Sequence, residues 1–224
     1  MPNVRLYAAF TSPLADERLY RNALLLLPAE RRAAAERLRL QKDRALSAGA
    51  GLLLRHALHI EGLDGVGILR QERKKPRLEG DPLFFNLSHA GELVLCAISE
   101  EEVGCDTEPI RKADEKLIRR FFHPREQELV FSCTAEKERD RMFTRIWTLK
   151  ESYIKFTGQG LETPLAAFCT VPGTPGSVWR GEKKEPCALY EFFGLTGYAV
   201  SVCSAKAPAP EKITLCEIPE LFAE

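Results

Sequence analysis

The segment from Ala135 to Phe156 is the longest helical pattern in the chain, and it constrains the rest. Met142, Phe143, Ile146, Leu149, Tyr153 and Ile154 recur at helical spacing and form an apolar stripe that must be buried. Gly158 and Gly160 stop it. Within it, Glu151 and Lys155 are four residues apart and share one face, with Lys150 one step round. Taken alone, such a pair reads first as an exposed ion pair worth about 0.3–0.5 kcal/mol; the sharper reading is a reactive carboxylate beside a phosphate-facing lysine. What the fold brings near that face decides between them.

Strand signals flank this helix on both sides. Val4 to Ala9 alternates as a first strand. Pro28 divides the helical pattern of residues 16–40 into two helices, and a third runs from about Asp43 to Ile60. Leu83 to Ser88 and Leu93 to Ser99 form a hairpin around Ala90-Gly91. Val103 to Glu108 is another strand, broken by Pro109. Helices follow from Asp114 and Pro124. Beyond Pro164 the chain turns to strands at 167–171, 177–180, 188–193, 198–204 and 212–218, and Ala207-Pro208-Ala209-Pro210 reads as a stiff loop. This order predicts a mixed α/β (α+β) fold of two halves, 1–102 and 103–224, without a residue-by-residue repeat.

Composition excludes some partners. Lys and Arg total 32 and so do Asp and Glu, so no global field draws the chain to nucleic acid or a membrane surface. Phosphate recognition must then be local. There is no apolar run of membrane-spanning length and no signal core at the start, which predicts a cytoplasmic protein. The seven cysteines are odd in number and widely spaced, and most sit among apolar neighbours; they read as small buried hydrophobes in a reducing compartment.

Local charge is where the sequence becomes specific. Asp106 and Glu108 alternate on a strand, so both carboxylates leave one face, with Cys105 and Thr107 on the other. Two acids on one face repel unless a cation lies between them. A hard divalent ion such as Mg2+ takes carboxylate oxygens and completes its shell with water and phosphate. Glu151 is the third available carboxylate. The bland reading, two acids at an exposed strand end, is weakened by the buried character of Val103-Gly104-Cys105. Ser88 and His89 at the hairpin corner, Lys75 before it, and Lys150 and Lys155 on the helix are phosphate-binding candidates. Each alone also reads as an ordinary loop or solvated residue, as does the basic run Arg73-Lys74-Lys75-Pro76-Arg77. Gly49-Ala50-Gly51 lies inside a helical pattern and is no dinucleotide fingerprint, and there is no P-loop.

Three blocks in order, Phe85-Asn86-Leu87-Ser88-His89-Ala90-Gly91, Val103-Gly104-Cys105-Asp106-Thr107-Glu108 and Trp147-Thr148-Leu149-Lys150-Glu151-Ser152-Tyr153-Ile154-Lys155, resemble the 4'-phosphopantetheinyl transferases, in particular the long monomeric Sfp type. Lys75-Pro76 and Phe121-Phe122-His123-Pro124-Arg125-Glu126 fit the same pattern. The resemblance runs from about residue 30 to 204. It implies two similar halves of helices on mostly antiparallel sheets, related by a pseudo-twofold, with coenzyme A between them. It implies transfer of 4'-phosphopantetheine from coenzyme A to a serine of an apo acyl or peptidyl carrier protein, releasing 3',5'-ADP. Asp106, Glu108 and Glu151 then hold Mg2+, while Glu151 and Lys155 are catalytic. Lys75, Ser88, His89, Arg44 and Lys150 contact coenzyme A. Where the family has a coenzyme-binding Arg, this chain has Leu46, so Arg44 or Arg39 takes that role; Arg31 and Arg32 are further basic contacts. Two alternatives on the same residues are a different Mg2+-dependent phosphotransferase and a non-catalytic coenzyme A-binding domain. Phe121-Phe122 is the expected carrier-docking region.

Overall fold

The computed structural model describes residues 4–69, 75–160, 163–173, 175–205 and 212–222. Arg73, Lys74, Leu161 and the 207–210 loop lie outside the described residues. Two mostly antiparallel sheets carry the architecture. In the first half, β1 (Arg5–Phe10), α1 (Glu17–Leu26), α2 (Ala29–Glu36) and α3 (Gln41–Ile60) are followed by two short strands, β2 (Ile68–Leu69) and β3 (Arg77–Leu78). The hairpin β4 (Phe84–Ala90) and β5 (Leu93–Ser99) completes it. In the second half, β6 (Val103–Pro109) leads through α4 (Glu115–Phe121), α5 (Pro124–Phe131) and α6 (Glu136–Thr157). The small sheet of β7 (Cys169–Val171), β8 (Ser177–Arg180) and β9 (Lys183–Lys184) precedes the hairpin β10 (Ala188–Phe192) and β11 (Tyr198–Ser204), and β12 (Ile213–Leu215) comes last.

The halves repeat one topology. The first sheet runs β12-β1-β5-β4 and the second β10-β11-β6. In each, the opening strand pairs antiparallel with the last strand of the later hairpin, β1 with β5 and β6 with β11. A long helix, α3 or α6, follows the opening strand and packs on the sheet. The two similar halves are therefore present in the order of elements, although the residues do not repeat. The 102/103 division is crossed once: β12 lies parallel to β1, and Cys216, Ile218 and Leu221 belong to the core of the first half. The strand expected over 212–218 is accordingly shorter, and Ile218 begins a 3-10 turn.

Strand alternation explains the layers. Tyr7, Ala9, Val94, Cys96 and Ile98 face α3, while Leu6, Ala8, Leu93, Leu95 and Ala97 face the other way. There they meet Val103, Cys105, Val200 and Val202, so one apolar layer joins the two sheets. The opposite side of the second sheet carries Leu189 and Cys203 against Leu149, Tyr153 and Ile154 of α6. The break at Pro28, the hairpin at Ala90-Gly91 and the αL stop of α6 at Gly158 (φ 66°) are as expected from the residues. All seven cysteines are free, and six are buried. No helix among the described residues is long and apolar enough to cross a membrane.

Candidate active site

The site forms where two sheet edges meet. β4 ends the first sheet and β6 ends the second. Exposed edges leave unpaired N–H groups; here β4 side chains satisfy them. Asn86 Oδ1 accepts from the Cys105 N–H at 2.9 Å, and Ser88 Oγ accepts from the Thr107 N–H at 3.4 Å. The alternation of β4 sends Asn86 and Ser88 toward β6. Cys105 turns to the apolar layer between the sheets, where burial pushes its thiol up to about 12. Asp106 and Glu108 therefore point the other way, toward α6.

Gly104 sets how close α6 comes. A Cβ at this position would run into the backbone carbonyl oxygen of Ser152 and the backbone nitrogen of Phe156. Only glycine lets the helix lie directly on β6. That approach puts Lys155 beside Asp106. Its Nζ donates to Asp106 Oδ1 at 2.6 Å and to Ser88 Oγ at 2.9 Å, while Ser88 Oγ donates to Asp106 Oδ1 at 2.8 Å. Desolvation acts to lower the Lys155 pKa, but the Asp106 charge and hydrogen bond, helped by Glu151, outweigh it and raise it. Lys155 is thus a fixed positive charge at neutral pH, better suited to neutralising a phosphate than to giving it a proton.

The three acids are electrostatically coupled. Desolvation and then the Asp106 charge raise the Glu108 pKa, against Arg111 and Lys155. Desolvation and then Asp106 raise that of Glu151 too, with Lys155 opposing and Glu108 adding. Among the described residues no group of three or more His, Cys, Asp or Glu is drawn together as a ready metal cage. The donor set nonetheless fits a hard cation. All three groups are oxygen donors, they repel one another, and the buried Oδ2 of Asp106 has no hydrogen-bond partner.

The remaining expected residues divide. His89, next to Ser88, leaves the opposite face of β4. Its pKa is lowered by its surroundings and then by Lys155 and Arg31, with Asp43 opposing. After Lys155, Arg31 is the next cation acting on His89, and it also donates to the Ser47 carbonyl at 3.0 Å. Lys75, beside Gly158, donates to Glu102 at 2.8 Å and to the Val103 carbonyl, and burial lowers its pKa. Arg44 is tied to the Leu38 carbonyl at 2.7 Å and acts on Tyr20; the structure does not bring it to His89. Leu46 is buried in the first core, so the side chain at that position cannot meet a ligand. Arg32 caps α1 through the Leu24, Leu25 and Leu27 carbonyls.

Lys150 requires a correction. It is 1% exposed and lies away from the acids. Its ammonium donates to both Glu126 oxygens at 2.9 and 2.6 Å and to the Phe168 carbonyl at 2.9 Å, with the Phe168 ring 4.2 Å away. Glu126 is wholly buried and also accepts from Thr170 N–H, Thr170 Oγ1 and His123 N–H. This network ties α5, α6 and β7 together and leaves Lys150 no access to a coenzyme. Phe122 is likewise 1% exposed and stacks on Phe143, so of the Phe121-Phe122 pair only Phe121 reaches the surface. Glu126 was not legible as Lys150's partner; the one local signal was Pro124-Arg125-Glu126 at a helix start, which the structure shows as a capping box.

The model of the 4'-phosphopantetheinyl transferase superfamily matches residues 102–203, which include β6 and α6. The chain is 34% identical over 177 residues to 4'-phosphopantetheinyl transferase gsp of Aneurinibacillus migulanus, covering 77% of this chain and 74% of that protein. It is 29% identical over 225 residues to 4'-phosphopantetheinyl transferase psf-1 of Bacillus pumilus, covering 96% of each. With 4'-phosphopantetheinyl transferase Sfp of Bacillus subtilis (strain 168) the identity is 32% over 155 residues, 68% of this chain and 69% of that one.

Proposed function

Because the chain belongs to the 4'-phosphopantetheinyl transferase superfamily, we propose that it transfers 4'-phosphopantetheine from coenzyme A to a serine hydroxyl of an apo acyl or peptidyl carrier protein. The observation that carries this reading is the Ser88–Asp106–Lys155 cluster at the seam of the two halves, with one Asp106 oxygen left unpartnered. Such a seam gives a charged, partly enclosed place for a pyrophosphate with solvent on one side for a protein substrate.

The serine oxygen attacks the β-phosphorus of coenzyme A. The bond from that phosphorus to the bridging oxygen breaks, and 3',5'-ADP leaves with the electron pair. The serine proton passes to a carboxylate. Glu151 suits this role, since its raised pKa brings it nearer the operating pH. Lys155 holds positive charge where charge grows on the phosphate oxygens, without reorganising. Ser88 fixes Lys155 and Asp106 in register. Asp106, Glu108 and Glu151 would hold Mg2+, which supplies further positive charge to the phosphates when bound. His89 and Arg31 offer cationic and hydrogen-bonding groups to the nucleotide end, and Lys75 to the pyrophosphate. The protein acts as a monomer in the cytoplasm, without nucleic acid or membrane partners. The test is coenzyme A consumption followed by chromatography: 3',5'-ADP should form only when both an apo carrier protein and Mg2+ are added.

A further inference from the structure

Ser201 stands directly across from Asp106 in the β6–β11 ladder. Residues so paired hold their Cβ atoms about 4.5–5.5 Å apart on one face, and that face lies under α6. Ser201 is wholly buried, and its hydroxyl has no hydrogen-bond partner; neither has the second carboxylate oxygen of Asp106. Two unpartnered polar groups opposite one another on one face of the ladder form a pair that a ligand would complete. An alanine would fill the same slot without an unmet hydroxyl, so the serine is costly there unless something engages it.

We infer that Ser201 is a positioning residue of the acidic site, orienting the free oxygen of Asp106 toward a bound divalent cation and its hydration water. The inference rests on the metal-site reading given above and extends it to a residue outside the three motif blocks. Ser204 provides the contrast. It too is buried with an unpartnered hydroxyl, but it pairs with Val103 and leaves the other face of β11, toward the apolar layer between the sheets.

The probe is Mn2+, which takes the same oxygen donors as Mg2+ and can be followed by electron paramagnetic resonance. Residues that orient a metal ligand typically change affinity about 10–100-fold when removed. S201A should bind Mn2+ at least about tenfold more weakly than the unsubstituted protein, and S204A should bind it equally well. In EDTA, S201A should melt at the same temperature or higher, because a buried unmet hydroxyl has gone; a lower melting temperature would mean that Ser201 serves packing and would overturn the inference. S201A binding Mn2+ normally while D106N loses it would also overturn the role of Ser201, leaving the acidic site intact. D106N binding Mn2+ as well as the unsubstituted protein would instead overturn the metal-site reading itself, and the inference with it.

Discussion

Lys155 of α6 pairs with Asp106 of β6 beside the seam, Nζ to Oδ1 at 2.6 Å, and Glu151, its neighbour one helical turn earlier, acts on it more weakly through charge alone. The lysine is therefore committed to the strand acid, and the helix acid remains available to take a proton or a cation. E151Q should lower carrier modification by about 100-fold or more, the range of a lost general base, with the fold intact. Without divalent cation its melting temperature should not fall, because a desolvated like charge beside Asp106 is removed. Thermal melts in EDTA alongside the transfer assay check both parts.

The Lys150–Glu126 pair predicts a stability effect. Removing one partner of a buried, fully bonded pair strands the other charge and costs about 3–5 kcal/mol. E126Q and K150M should each show this loss in urea denaturation, and the double variant should lose less than the sum of the two. Lys150 as a coenzyme contact would instead give a raised KM with unchanged stability.

Why the sequence misled at Lys150 and not at Asp106 is physical. Asp106, Glu108 and Ser88 lie on strands whose alternation fixes the side each faces, so their convergence was legible once β4 and β6 were recognised. The long helix, the Pro28 break and the hairpin were legible for the same reason, each resting on local periodicity or turn chemistry. Lys150 adjoins Glu151 on a helix, where a charged residue one step round normally meets water. Its burial depends on Glu126, 24 residues earlier, and on the Phe168 carbonyl, 18 residues later. No local pattern reports such a partner. The return of β12 to the first sheet was equally hidden, since parallel pairing with β1 spans nearly the whole chain.

His89 gives a pH prediction. Its pKa in the folded protein lies below the usual 6.5, so the unfolded chain binds more protons as acid is added. The His89 contribution to stability is then present above pH 6.5 and declines as pH falls through 6.5 toward the folded value. The imidazole resonances should titrate below 6.5 in the free protein. Coenzyme A, by placing phosphate charge near the ring, should move the midpoint upward; an unmoved midpoint would place the nucleotide elsewhere.

Gly104 tests the helix approach. G104A forces a methyl into the α6 backbone at Ser152 and Phe156, where no flexible side chain can yield. Overpacking of this kind costs about 1–3 kcal/mol. Transfer should fall further than stability alone explains, because Lys155 and Glu151 move away from β6 together. Guanidinium melts and initial rates on the folded variant separate the two effects.

The central claim is tested most directly by intact-mass spectrometry of apo carrier proteins incubated with this protein, coenzyme A and Mg2+. The account predicts that at least one carrier gains the mass of a single phosphopantetheine on its serine, and that D106N and E151Q leave it unmodified. A carrier panel that stays apo with the folded, unsubstituted protein, or normal modification by both variants, would contradict it.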